Sequence, residues 1–155
     1  MELKQVEKYA NDKLAEYGLT KLGWTFKWDR SKRRFGQCRY RLKEVGISKP
    51  LAELNDADNV HDTVLHEIAH VLASVRGFVR EGHGQNWKDI CVEIGAKPVR
   101  CYSADQVVLP KMKYTGTCPK CLTTFQKARM PKHKRYHSKC NSRGHYDYVI
   151  EWVKS

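Results

Sequence analysis

The stretch HEIAHVLASVRGFVREGHGQNW, from His66 to Trp87, sets three histidines and a buried-looking glutamate among apolar residues. His66 and His70 are four residues apart, so on a helix both imidazoles share one face, one turn apart. Glu67 follows His66 directly, which puts its carboxylate beside an ion that it need not ligate. This is the H-E-x-x-H arrangement. Zinc suits imidazole nitrogens and, in hydrolytic sites, leaves one coordination position to water. The pKa of that water falls toward ~7, and Glu67 is placed to accept the proton and later return it to a leaving amine. A third ligand is required. His83 lies between Gly82 and Gly84, and small neighbours let a chain turn tightly and approach an ion closely. Glu81 and Glu93 are the alternatives. Glu93 is the more serious because it falls on the next helix, but His83 is preferred for its glycine-bounded turn. The shorter H-E-x-x-H-x-x-G-x-x-H spacing is excluded, since residue 76 is Arg. Burying so many unpaired polar groups in one apolar helix would be costly, so a metal explains them better than core packing does.

A second constellation follows at Cys118, Cys121, His137 and Cys140. C-x-x-C, a spacer of fifteen residues and then H-x-x-C is close to zinc-ribbon spacing. All four positions are filled by protein, so this ion would be structural. His133 and His145 are possible substitutes for His137. A redox C-x-x-C would need a βαβ context, which the segment lacks. Cys38, Cys91 and Cys101 have no ligand spacing and read as small buried hydrophobes.

These residues need elements to hold them. Leu3, Val6, Ala10, Leu14 and Tyr17 recur at helical spacing, and Gly18 stops the pattern. WTFKWD (24–29) and RFGQCRYR (34–41) read as two strands joined by an exposed basic hairpin turn, RSKRR (30–34), and VGISKPL (45–51) as a third strand ended by Pro50. The histidine-bearing helix is predicted to begin near Asp58 or Asn59, either a good cap, and to end at Gly77. A further helix is predicted over 86–96, capped by Asn86 and stopped by Gly95. From about Lys111 the chain turns basic, Cys/His-containing and strand-like, so a boundary is placed near residues 104–112.

The net charge is +12. Residues 111–155 carry eleven Lys/Arg against Asp147 and Glu151, and residues 27–43 carry eight against Asp29. Two basic blocks on a near-neutral body point to a polyanion partner. The candidate contacts are Arg30, Lys32, Arg33 and Arg34 in the turn and Lys132, Lys134 and Arg135 downstream. Tyr114, Phe125, Tyr136 and Trp152 are available either for stacking on bases or for the core of a small sub-domain. No run of 18 apolar residues predicts a membrane helix, and the N-terminus has no signal-peptide pattern. A cytoplasmic, monomeric protein with reduced cysteines is expected, nucleoid-associated if it is bacterial or phage.

With HEIAH, GHGQNW and the Cys/His segment in place, the chain resembles the SprT-like zinc metalloproteases, the family of the Spartan-related DNA–protein crosslink proteases. WDRSKRRFGQCRY and TVLHEIAH look like bacterial and phage SprT-like domains, and the likeness covers roughly residues 20–152. It implies an α+β fold with a zincin-like metalloprotease domain of helices and a small antiparallel sheet over 1–108. A zinc-ribbon-like sub-domain over 109–155 would follow. It implies one catalytic zinc on His66, His70 and His83 with Glu67 as general base, and one structural zinc on Cys118, Cys121, His137 and Cys140. Tyr102 falls where the family often has a Tyr, and it or Arg100 would steady an oxyanion. The chain has no counterpart of the animal proteins' long recruitment tails, so a minimal catalytic unit is expected.

The expected function is a zinc-dependent endopeptidase and DNA-repair protease, activated by DNA, with single-stranded DNA favoured, that cuts DNA-bound or DNA-crosslinked proteins. The alternatives are a peptidase indifferent to nucleic acid, a non-catalytic nucleic-acid-binding zinc protein, and a hydrolase of non-protein amides. Lys/Arg contacts to phosphate release counterions, so DNA affinity is expected to fall steeply from low to physiological salt. A binding titration that stays flat over that range would sink the polyanion reading.

Overall fold

The computed structural model describes residues 2–79, 81–100, 107–141 and 146–155. Cys101, Tyr102 and His145 lie outside them. Leu3–Glu16 forms α1, which buries Val6, Ala10 and Leu14 along one face, as their three- and four-residue spacing dictates. Gly18 follows at φ +69° and takes the turn off the helix end.

Three strands come next: β1 (Thr25–Asp29), β2 (Gly36–Arg39) and β3 (Glu44–Ser48). Their order is β1-β3-β2, with β1 parallel to β3 and β2 antiparallel to it. This corrects two expectations. β1 and β2 are not a hairpin, and the sheet is mixed rather than antiparallel. The cause lies in β3, where Val45, Gly46, Ile47 and Ser48 are all buried. A strand covered on both faces belongs in the middle of a sheet, and alternation along β1 and β2 tells faces apart but not pairing order. The basic turn is therefore a crossing loop. It is tied down by Asp29, which accepts from Ser31 N and from Arg34, and by Ser48, whose hydroxyl donates to Ser31 O at 2.6 Å.

Pro50 ends no strand. β3 stops at Ser48, which caps the short helix α2 (Lys49–Ala52) by accepting from Leu51 N, with Pro50 in the first turn where its missing N–H costs nothing. Helix α3 (Ala57–Val75) begins earlier than the sequence suggests. Asp56 is the cap, accepting from Asn59 N at 2.8 Å. The next helix, α4 (Gln85–Glu93), likewise has Gly84 rather than Asn86 at its cap position. α1, α4, β2 and β3 all contact α3, which buries Val60, Val64, Ile68, Val71 and Leu72 among them. A bidentate pair, Arg76 to Glu93 at 2.7 Å for both bonds, ties the end of α3 to α4.

The chain divides into two compact units, Met1–Pro110 and Lys111–Ser155. In the second, β4 (Tyr114–Thr117) is flanked by β5 (Thr124–Lys127) and β6 (Glu151–Lys154), all antiparallel. Cys118 and Ile150 are its buried apolar residues among those described. Among the described residues no helix is long and apolar enough to cross a membrane.

Gly116 in β4 lies under Trp152 and Ile150, and a Cβ built there would come within 2.7 Å of both side chains. Gly116→Ala should therefore destabilise the second unit by about 1–3 kcal/mol through overpacking. Denaturant unfolding followed by chemical shifts of residues 111–155 would show this, with those of α1 and α3 unaffected.

Candidate metal centre and cleft

Helix α3 carries His66, Glu67 and His70 within its second half, and the loop before α4 carries His83. The structure brings the three imidazoles together. His83 Nε2 lies 3.1 Å from His70 Nε2 and 3.2 Å from His66 Nε2. Three nitrogens on a zinc ion at Zn–N distances of about 2.0–2.1 Å would lie about 3.3 Å apart on a tetrahedron, so the donor set fits that ion. Without one the triangle is poorly satisfied, because three neutral rings facing each other cannot each find a proton to accept. Trp87, fully buried in the first turn of α4, backs all three rings with centroids 4.6–5.2 Å away.

Burial first and the neighbouring rings second keep these imidazoles neutral. His66 is pushed down to about 4 and His70 to about 3. His83 is lowered by burial and then by Arg100. Neutral rings with free lone pairs are what metal binding requires. Glu67 moves the other way. It is 6% exposed, and burial raises its carboxyl to about 8, against partial relief from Arg34 and from the Cys38 backbone N–H. Its side chain lies over Gly36, where a Cβ would come within 2.4 Å of Oε1. The edge strand β2 thus receives the carboxylate through a missing side chain and a donated N–H.

These groups line a cleft of about 610 Å³ whose walls include Phe35, Leu51, Val107 and Leu109, with Arg33, Arg34 and Arg100 at its borders. The wall at Val107–Leu109 is held by Asn55. Its amide accepts from Val108 N at 2.7 Å and donates to Val108 O at 3.0 Å and Leu51 O at 2.7 Å. Asn55, Gly36 and Tyr40 also shape the cleft and are not among the residues expected from the sequence. Cys91 is buried as expected, while Cys38 is half-buried: it packs against the core and also lines the cleft with Tyr40. Only Gly36, a glycine inside a strand pattern, left a signal that could have been read. Glu93 is exposed and committed to Arg76, and Glu81 to Asn86, so neither rival sits in the imidazole cluster.

In the second unit, one ligand atom each from Cys118, Cys121, His137 and Cys140 gathers within 4.8 Å. His137 Nδ1 is 3.2 Å from Cys121 Sγ and 3.3 Å from Cys140 Sγ, a little inside the about 3.6 Å expected between N and S on tetrahedral zinc. Two tight turns supply the pairs: Leu122 N donates to Cys118 O, with Leu122 at φ +58°, and Cys140 N donates to His137 O. Hydrogen bonding with the Thr123 side chain and backbone brings the Cys121 thiol down to about 6, while hydrogen bonding to Cys121 takes Cys140 up to about 11. Among the described residues His133 is exposed and outside the cluster. Tyr136 rests on Tyr146 and Phe125 on His137, and Lys127 lies over Trp152. Lys132, Lys134, Arg135, Arg30, Arg33 and Arg34 are exposed, and Lys32 is half-buried.

A helix presenting two histidines one turn apart, a loop histidine opposite and a buried glutamate under an edge strand give a domain of mixed α and β structure a candidate site for a single metal ion. The chain belongs to the SprT-like family, whose model matches residues 3–107. Membership points to a metalloprotease-like domain. The match takes in α1, which the resemblance had left out, and it stops before the Cys/His unit. No curated protein matches the chain.

Opposed shifts give the zinc-free protein a two-sided pH profile. His66 and His70 titrate lower in the folded state than the usual 6.5, so their contribution is complete above about 6.5 and is lost toward pH 4 and below. Glu67 titrates higher, so its contribution is complete below its ordinary 4.5 and is lost as pH rises through about 8. Glu67→Gln should abolish the alkaline loss and leave the acid loss. Urea midpoints of the chelated wild type and variant from pH 4 to 9 would show this.

Proposed function

We propose that the protein is a zinc-dependent endopeptidase with a zincin-like catalytic domain, stimulated by DNA, that cleaves proteins held on DNA. The observation that carries the hydrolytic part is Glu67: a buried carboxylate on the helix that carries two of three converging imidazoles, lining the same cleft. A carboxylate within reach of an attacking water can act as its general base.

His66, His70 and His83 would hold the catalytic zinc. When bound, that ion supplies a Lewis acid and a water that ionises near neutral pH. Glu67 takes the proton from the attacking water and delivers it to the amine that leaves. Gly36 and the Cys38 N–H fix where the carboxylate waits, so no reorganisation is needed when the proton moves. Arg34 lies close enough to favour the ionised form of Glu67, and Arg100, on the cleft border beside His83, is placed to steady developing negative charge. The apolar walls Phe35, Leu51, Val107 and Leu109 exclude water around a peptide segment. The second unit would carry a structural zinc on Cys118, Cys121, His137 and Cys140.

The DNA part rests on charge. Eleven Lys/Arg against two acids in residues 111–155, with Lys132, Lys134 and Arg135 exposed, suit a phosphate backbone. A protein brought to the same DNA would then meet the cleft at high local concentration.

The test compares wild type and Glu67→Gln on a basic protein substrate, with and without single-stranded DNA. Wild type should cut faster with DNA, and the variant should lose about 10²–10⁴ in rate while keeping two zinc per chain. Cutting by both variants or by neither refutes the assignment of Glu67. Equal rates with and without DNA would leave a peptidase in which the second unit is only a brace.

A further inference from the structure

We propose that Glu81 is the positioning residue of the three-histidine centre, clamping His83 and the first turn of α4 into one unit. The inference rests on the metal-site reading above. Glu81 stands two residues before His83. Its Oε1 accepts from the Asn86 backbone N–H at 2.9 Å, and its Oε2 from Asn86 Nδ2 at 2.7 Å. One carboxylate thus closes a ring from residue 81 to residue 86, with His83 inside it. The backbone adds Gly84 N donating to Glu81 O at 3.2 Å.

The clamp fills a gap in α4. A helix start leaves N–H groups unpaired, and the residue at the cap position is Gly84, with no side chain to accept from them. Glu81 supplies the acceptor from outside, and its charge suits the positive end of the helix. Both glycines around His83 serve this arrangement. Gly82 takes the left-handed turn at φ +62°. At Gly84 a Cβ would come within 2.2–2.6 Å of the Glu81 side chain, so the carboxyl needs that residue bare.

The reach to the metal centre is short. His83 Nε2 closes the nitrogen triangle with His66 and His70, and Trp87, one residue beyond Asn86, touches all three rings. When the start of α4 shifts, the third ligand and the ring that backs all three ligands shift together. Partners of this kind orient ligands without binding the ion themselves.

Zinc affinity of the three-histidine site tests this, read by chelator competition on the full chain. In cobalt-loaded samples the thiolate–cobalt absorption reports the Cys site separately. Glu81→Ala should weaken the histidine site by about 10–100-fold and leave the thiolate band unchanged. Glu81→Gln keeps an acceptor for the Asn86 N–H and should restore affinity to within a few-fold of wild type. In a His83→Ala background, Glu81→Ala should cost nothing more. Asn86→Ala removes one of the two bonds and should give an intermediate loss, which keeps the test usable should Glu81→Ala fail to fold. Wild-type affinity in Glu81→Ala and Asn86→Ala, with affinity lost in His83→Ala, overturns the clamp. So does a Glu81→Ala loss that persists in full without His83. Unchanged affinity in His83→Ala instead overturns the three-histidine reading beneath it.

Discussion

Burying a carboxylate and two imidazoles along one helix is the constraint around which the first unit is built. Each of these groups loses hydration on entering the interior, and the loss must be met by a fixed partner or by a shift toward neutrality. Both responses occur. The imidazoles become neutral and face a common point, and the carboxyl takes up a proton more readily and rests against Gly36 and the Cys38 N–H. An apolar helix could pack more cheaply without them, and groups buried at such a cost gather at functional sites.

The surroundings follow from that demand. A strand must approach α3 closely enough to donate to Glu67, which sets β2 at the sheet edge beside the helix. β3 must then be central, buried on both faces, with β1 on its far side. Trp87 fills the space behind the three rings, so α4 must start at a defined place. Arg76 and Glu93 hold its other end. Helix, strand and loop each contribute one coordinate of the same site.

The two candidate ligand clusters were legible in the sequence because their spacing is local. Four-residue spacing on a helix, a glycine-bounded histidine and two Cys/His pairs state their geometry within a few residues. What was not legible is what depends on partners far along the chain. The pairing of β1 with β3 across the intervening β2 could not be read from alternation, and the 30–34 segment looked like a hairpin turn because its composition suits either role. The helix starts lie two or three residues earlier than the sequence suggests, where several acceptors compete. Asp56 won over Asp58 and Asn59 for α3, and Glu81, outside the helix, replaced Asn86 for α4. Asn55 gave no signal, since its partner Val108 lies 53 residues away.

That Asn55 contact has a mechanical side. The stretch Val107–Leu109 is a wall of the cleft and also the last part of the first unit before the chain passes on at Lys111. It is joined to α2 and the turn that follows by a side-chain amide that imitates a neighbouring strand, with one N–H···O bond in each direction. A tug on the outgoing chain reaches those two bonds and the packing of Val107 on the core. The cleft wall and the segment leading to the basic unit are therefore a single piece of polypeptide, held by Asn55 and by Val107 against the core, so tension on that segment loads the cleft wall.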